Sequence, residues 1–588
     1  MQRTRTPVLL LLAAVVSGIL FNTDATGIAL FGCILLSGAA GYALLMQSAL
    51  YSGPGKKAVF VYAALMLAAV VAGVLPSKYP YLSLIVGATH AALAAGCALG
   101  LLLGPGAALL FRTLLIPAGL WVSAAVAAHL LGLTHKSSLF ADSNSFATVV
   151  NLTFILALGL LAQGQPSRWQ RWGAATVAVM SVIGMFYLQS KGAWLALLLT
   201  LALLAAVGGR AMGLNRKHWA CLALLAGVAV ASVSMRISDE TKELRDGRST
   251  SSRKAMLVAT VKIIQAHPWG VGTGQWFRAY EAVRTHEDVE SAGTHAHNDY
   301  LESMAEAGPL GLPALAFPGL LVLWIAVKLR REPDKERARH QAFLAALVGI
   351  CAAQAMVNFT YQQTGFNLIV GLACGALLQG LGVQRVPQLS RQGRLAATSA
   401  FVLFAAVTAI AAFSFATLNA VSVPERTVAK VFPWLKDPRI ILALSRMNPL
   451  DTRPRIAYAT RFHQVAANTD LPVDVRQAAY RVAMQTYLAL NKDIPDDFQL
   501  LGTAGSLARS SVELDPAARA LAEALLRRAY ELAPSQIAVA MPYAQVLFSN
   551  GQFDAAEQVV QDTAAKAPTV DQPALQQALR DIRANRPK

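Results

Sequence analysis

At 588 residues, 55% hydrophobic and only 14% charged, the chain falls well below the roughly 25% charge of a soluble domain. Its formal net charge of +18 does not point to nucleic acid, because the Lys and Arg residues sit in short loops between apolar runs and form no basic stripe interleaved with aromatics. Charge is sparse up to about Thr417 and dense from there to Lys588, so a membrane-embedded part precedes a soluble part.

A helix that crosses a bilayer needs about 20 mostly apolar residues. Runs of that kind lie at 7–21, 26–46, 57–76, 80–104, 112–132, 145–164, 173–189, 192–209, 218–235, 309–328, 341–358, 364–382 and 395–417. The first follows Arg3 and Arg5 and looks like a signal peptide. No small-residue cleavage site follows it, so it reads as an uncleaved first span. The expected fold is all-α: a polytopic bundle of about 12–13 transmembrane helices (1–420) with one large loop (236–308), then a soluble helical repeat-like domain (421–588). Cys33, Cys97, Cys221, Cys351 and Cys374 all lie inside apolar runs, without metal spacing, and read as small packing residues.

Basic residues orient the spans. With a cytoplasmic N-terminus, every second loop is basic: Lys56 and Lys57; Arg112; Arg168 and Arg171; Arg210, Arg216 and Lys217. The series continues with Arg330, Arg331, Lys335, Arg337 and Arg339, then Arg385, Arg391 and Arg394. The opposite short loops hold little beyond Lys78, Lys136 and Lys191. The loop from Arg236 to Gly308 and everything after the last span then face the non-cytoplasmic side, which in a bacterium is the periplasm bounded by the inner membrane.

The tail reads as helical repeats. Pro534 and Pro568 stand 34 residues apart, the period of a tetratricopeptide repeat, with Gly551 at the turn between the helices. A weaker unit runs from Ala517 to Pro534, with Leu521, Ala524 and Leu525 on one face, and a third candidate lies near Asn448 to Ala466. An ordinary helical bundle is the alternative.

The large loop carries the chemistry. Ser249, Thr250, Ser251 and Ser252 suit a helix start, with Met256, Val258, Ala259 and Ile263 at helical spacing and Arg253 in the first turn. Next come His267, Pro268 and Trp269 with alternating Gly270, Gly272 and Gly274, a turn whose amides could cup an anion. It lacks the lysine and spacing of a nucleotide P-loop. Then two imidazoles, an amide and three carboxylates crowd into a dozen residues: His295, His297, Asn298, Asp299, Glu302 and Glu306, with Tyr300 among them. Asn298 or Asp299 can cap a short helix that Gly308 and Pro309 end. A metal would need more ligands, from Glu302, Glu306, His286 or Asp288, but the pattern matches no familiar helical zinc spacing. The histidines otherwise serve as structural caps or as a general base near neutral pH.

These residues resemble a family. Ser190-Lys191-Gly192-Ala193-Trp194-Leu195-Ala196 looks like the S-R-G-A-W-L-A segment of the O-antigen ligase/polymerase superfamily. Arg253 followed by His267 to Phe277 is similar to that family's arginine and H-P-x-x-G-x-G-x-G stretch, although here a single residue, Trp269, separates Pro268 from Gly270 and the spacing to the phenylalanine is one shorter. His295 to Gly311 matches its H-x-H-N-D-Y-L-x-x-x-A-E-x-G-x-x-G signature. The resemblance implies a glycosyltransferase that takes an undecaprenyl-diphosphate-linked glycan as donor, inverts at the anomeric carbon and needs neither metal nor cofactor. By position, it implies His297 as base with His295 beside it, and Arg253 and Lys191 as the cations on the diphosphate. Asn298, Asp299, Tyr300, Glu306, Gly270, Gly272 and Gly274 are implied as their support. Lys191 replaces the usual arginine, which keeps the charge but loses the planar fork.

The acceptor is lipid A–core in a ligase, a protein Ser or Thr in an O-oligosaccharyltransferase, and another lipid-linked glycan in a polymerase. The tail offers a surface for a protein partner. No second His-His-Pro motif of the protein-glycosylating kind lies near the N-terminus, so a ligase is placed first. A transporter would put polar groups at midplane, where His90, His129 and Asn151 are isolated candidates. A scaffold acting through the tail is the third reading.

Overall fold

The computed structural model describes residues 5–20, 28–46, 50–52, 55–104, 106–132, 143–162, 166–237, 240–285, 294–380, 384–386, 389–422, 430–568 and 571–586. Lys136, His286 and Asp288 lie outside them. The expected all-helical architecture is found, and each apolar run coincides with a helix. These are α1 (Arg5–Leu20), α2 (Ile28–Leu45), α3 (Lys56–Val74), α4 (Pro80–Leu103), α5 (Gly106–Leu130), α6 (Ser143–Ala162), α7 (Arg168–Leu188), α8 (Lys191–Met212) and α9 (Arg216–Ile237). The large loop holds α10 (Glu240–Ala266), α11 (Trp276–Val283) and α12 (Asp299–Ala307). The bundle then closes with α13 (Gly311–Leu329), α14 (Lys335–Gln354), α15 (Thr364–Gln379) and α16 (Arg391–Ser422). Among the described residues, nine helices are long and apolar enough to cross a membrane, so the chain is a multi-pass membrane protein. A three-residue antiparallel ladder, β1 (Leu50–Ser52) with β2 (Gln384–Val386), is the one strand pairing among the described residues.

The tightest seam in the bundle joins α4 to α15. Each helix carries a small-x-x-x-small pair, Gly96 and Gly100 on one, Gly371 and Gly375 on the other. A Cβ at Gly371 would sit 2.3 Å from the Leu93 carbonyl, and one at Gly375 only 2.1 Å from that of Cys97. The two backbones therefore touch where any side chain would hold them apart.

One expectation is corrected. The helix carrying Arg253 does not begin at the Ser249–Ser252 cluster; α10 is continuous from Glu240, placing Arg253 in its middle. Glu, Lys, Leu and Arg dominate the stretch before the serines and favour helix strongly enough to carry it through them.

Beyond the last span come α17 (Pro438–Met447), α18 (Thr452–Ala467), α19 (Val473–Asp493), α20 (Phe498–Ser510), α21 (Ala518–Leu532), α22 (Ile537–Ser549), α23 (Phe553–Ala564) and α24 (Gln572–Ala584). From α18 onward they share a separate apolar core that includes Tyr487, Leu507, Leu526 and Val560. This unit docks on the loop end of the bundle. Arg278 of α11 donates through Nε to Asp497 Oδ2 at 2.8 Å, the Tyr79 hydroxyl donates to the same carboxylate, and the guanidinium lies 4.4 Å over the Tyr79 ring. Nearby, Ser535 Oγ donates to the buried Glu281 at 3.1 Å.

Candidate functional site

Residues 294–309 sit between α10, the glycine turn and the segment that joins α14 to α15. Asn298 caps α12, its Oδ1 accepting from the Leu301 amide at 3.1 Å, and Gly308 at φ 63° ends the helix. Asp299 is buried and anchors both ways: its amide donates to the Ala355 carbonyl, and its Oδ2 accepts from the Tyr361 amide at 2.7 Å. Tyr300 ties the helix to α14 through a 2.8 Å bond from its hydroxyl to the Ala352 carbonyl. Asn298, Asp299 and Tyr300 therefore shape the site.

The glycine turn does not await an outside anion. The Val271 and Gly272 amides donate to the carbonyls of Ala305 and Glu306, and Thr273 donates to Gly73, all within 3.0 Å. The carboxylate it faces belongs to the protein: Glu306 Oε1 accepts from the Trp276 amide at 3.1 Å, with the Gly274 amide turned toward the same group. Gly270 has φ 93°, and a Cβ there would lie 2.2 Å from the Glu306 carbonyl. The expected anion cup is thus a clasp that locks the end of α12 against the bundle.

His295 and His297 share one platform. The His295 ring stacks on Phe359 at 4.9 Å, and His297 meets the same ring edge-on at 5.3 Å. His295 Nδ1 bonds Glu302 Oε1 at 2.8 Å, with Glu302 almost wholly buried and one-third of the imidazole side chain exposed. Glu302 Oε2 also accepts from the Ala296 amide at 2.7 Å, which fixes the backbone between the two histidines. Burial opposes charge on His295, but the Glu302 carboxylate, its hydrogen bond, and the charges of Asp299 and Glu306 outweigh it and push the group up to about 9. At neutral pH His295 is a cation and a donor. His297 adopts φ 53°, in the left-handed region that non-glycine residues rarely occupy.

Lys191 and Arg253 are linked to this platform through neighbouring residues. Lys191 is exposed in the first turn of α8, behind Ser190, whose Oγ caps the helix through the Ala193 amide. Gly192 packs on Val357, two residues from Phe359; a Cβ at that glycine would lie 2.9 Å from the valine. Arg253, partly exposed, precedes Met256 by one turn, and Met256 shares a buried cluster with Ala296, Trp276 and Ala305.

Glu302, Phe359 and Gln362 did not stand out as site residues. Glu302 featured only as a would-be metal ligand. The signal for the others is a polar run, Asn358 to Thr364, wedged between two apolar spans. Among the described residues no cluster of ligand-type side chains suits a metal. The isolated midplane groups also find places. Gln362 Nε2 donates to Glu302 Oε1 at 3.2 Å, and His90 is hydrogen-bonded to Gln362. Asn151 Nδ2 donates to the Ala193 carbonyl at 2.9 Å, steadying the first turn of α8 behind Lys191. Two of the three groups that a transporter would use instead brace the loop-end site.

Comparison with known proteins agrees. Residues 175–317 match the model of the O-antigen ligase family, and residues 518–582 match that of the tetratricopeptide repeat. No curated protein and no solved structure accompanies these two matches. The first span brackets Lys191, Arg253, the glycine turn and both histidines, so the resemblance seen in the motifs holds over that part of the chain, and a tetratricopeptide-like unit follows it.

Proposed function

We propose that this protein transfers a glycan from undecaprenyl diphosphate to an acceptor hydroxyl at the periplasmic face of a bacterial inner membrane, with lipid A–core as the acceptor of an O-antigen ligase. The observation that carries the assignment of roles is the division between the histidines. His295 is committed to Glu302 and protonated at neutral pH, so it cannot accept a proton; His297, on the other edge of Phe359, is the base.

The acceptor oxygen attacks the anomeric carbon as the bond from that carbon to the diphosphate oxygen breaks on the opposite face, which inverts the centre. The hydroxyl proton passes to the His297 ring. The departing undecaprenyl diphosphate needs no proton, because its charge is already delocalised and is met by Arg253, by Lys191 at the positive end of α8, and by the His295 imidazolium. No metal enters this scheme. A positioned base contributes about 10²–10⁴-fold.

The test is reconstitution of the purified full chain with undecaprenyl-diphosphate-linked glycan and three acceptors: lipid A–core, a Ser/Thr-rich protein and a second lipid-linked glycan. His297→Ala is expected to lower kcat at least about 100-fold with a small change in donor KM, and turnover near the parent rate would overturn the role. Transfer to protein or to glycan, with none to lipid A–core, would move the protein to an O-oligosaccharyltransferase or a polymerase.

A further inference from the structure

The end of the bundle opposite the histidines holds two adjoining cavities of unlike chemistry. One, about 670 Å³, lies among α6, α7, α8, α9 and α14 and is walled by apolar side chains such as Phe154, Leu158, Leu201, Leu225 and Val228. The other, about 380 Å³, lies between α5, α6 and α14 and is lined by Arg112, Arg337, Arg339 and His340 with Asp334 and Glu336. Gly159, Ala162, Arg339 and Phe343 line both, so the two are lobes of one amphipathic recess that meet at the Phe343 ring.

Its charge and depth identify the occupant. Arg337 is taken up by Glu332 at 3.8 Å and by the Gly380 carbonyl, and Asp334 by the Glu336 and Arg337 amides as the cap of α14, which leaves Arg112 and Arg339 beside Glu336 as the charged lining. Arg339 is held in place by a 2.9 Å bond from Nε to the Met212 carbonyl. Trp169, Trp172 and Trp219 stand exposed at the same end, beside exposed Arg210, Arg216 and Lys217. Exposed tryptophans among basic residues mark headgroup depth in a bilayer. The polar lobe therefore lies level with lipid phosphates, and the apolar lobe extends to the depth of the acyl chains.

We propose that this recess binds an anionic phospholipid, with its phosphate against Arg112 and Arg339 and one acyl chain in the apolar lobe. Basic pockets between helices near the bilayer surface suit anionic headgroups. The volume of the apolar lobe falls within the roughly 300–1,000 Å³ of built ligand pockets. A free phosphate would leave that lobe unused.

The experiment takes the delipidated full-length protein in detergent and follows thermal unfolding with added phosphatidylglycerol, phosphatidylcholine or inorganic phosphate. Phosphatidylglycerol is expected to raise the melting temperature by several degrees, phosphatidylcholine by less than half as much, and inorganic phosphate not at all. Arg112→Gln is expected to erase the difference between the two lipids. Ala205→Phe, which fills the apolar lobe without touching charge, is expected to reduce the phosphatidylglycerol shift. Equal shifts from both lipids, a matching shift from phosphate, or an Arg112→Gln protein that keeps the preference would overturn the proposal. If a variant fails to fold, native mass spectrometry of the parent protein decides: one retained phosphatidylglycerol supports the site, and none retained from a mixture of the two lipids overturns it. None of these readouts needs turnover, so their outcome is separate from that of the glycosyl-transfer reading.

Discussion

The histidine platform is held from two sides by opposite kinds of contact. Below it, α4 and α15 meet backbone to backbone at four glycines, and Asn367 of α15 reaches from that seam to the Thr89 and Tyr361 carbonyls, both at 2.7 Å. Beside it, the repeat unit grips α11 through Arg278, Asp497 and Tyr79, a contact of charge and aromatic faces. The seam has no slack, because backbone atoms cannot rotate away from an added carbon. The docking contact rests instead on side chains, chiefly the pair of Arg278 with the almost wholly buried Asp497. A membrane protein built this way sets its histidine platform on a backbone seam and ties its outer domain through side chains.

The largest expected effect breaks the seam. Gly375→Leu places side-chain carbons where 2.1 Å separates an ideal Cβ from the Cys97 carbonyl, so it should cost at least the roughly 1–3 kcal/mol of core overpacking. Size-exclusion chromatography of the solubilised protein should show loss of the monodisperse species, and normal yield and melting would refute the close approach.

Next is Asp497→Asn, which leaves Arg278 without its ionic partner at a contact where Asp497 is almost wholly buried. About 1–3 kcal/mol should be lost from docking. Limited proteolysis should release the repeat unit more readily, whereas the bundle should resist as before. Cleavage kinetics identical to those of the parent would mean the grip lies elsewhere.

A smaller effect sharpens the rigid side. Because His295 is pushed up to about 9, its pair with Glu302 stabilises the fold fully below about 6.5, the ordinary imidazole value, and the contribution fades as pH rises through about 9. Melting temperature should therefore fall by a few degrees across that window, and Glu302→Gln should flatten the slope. A parent protein with no slope would place the proton elsewhere. Smallest of all is Lys78→Ala, whose pair with Asp496 spans 3.9 Å between two exposed side chains; its loss should move docking by less than about 0.5 kcal/mol.

The two sides also differ in how readily the sequence exposes them. Asn298 as a cap, Gly308 as a stop and the Pro534–Pro568 repeat are local patterns, and local patterns are visible in one dimension. The glycine turn misled for a physical reason: its amides do bind a carboxylate, but that carboxylate is Glu306, some thirty residues away in the chain. Phe359 lay in plain view within a polar stretch between spans, yet nothing local ties it to two histidines about sixty residues earlier. The paired glycines of α4 and α15 are likewise a readable spacing, whose meaning needs the partner helix.

By itself the sequence determined the order of the apolar helices, the basic end of the bundle, the helical tail and the chemistry-rich loop, because hydropathy, charge and capping act over a few residues. Only the tertiary structure decided which imidazole is tied to a carboxylate and where the repeat unit rests. Those outcomes depend on buried charges meeting across distant segments, and a burial that depends on fold cannot be read from any one stretch of chain.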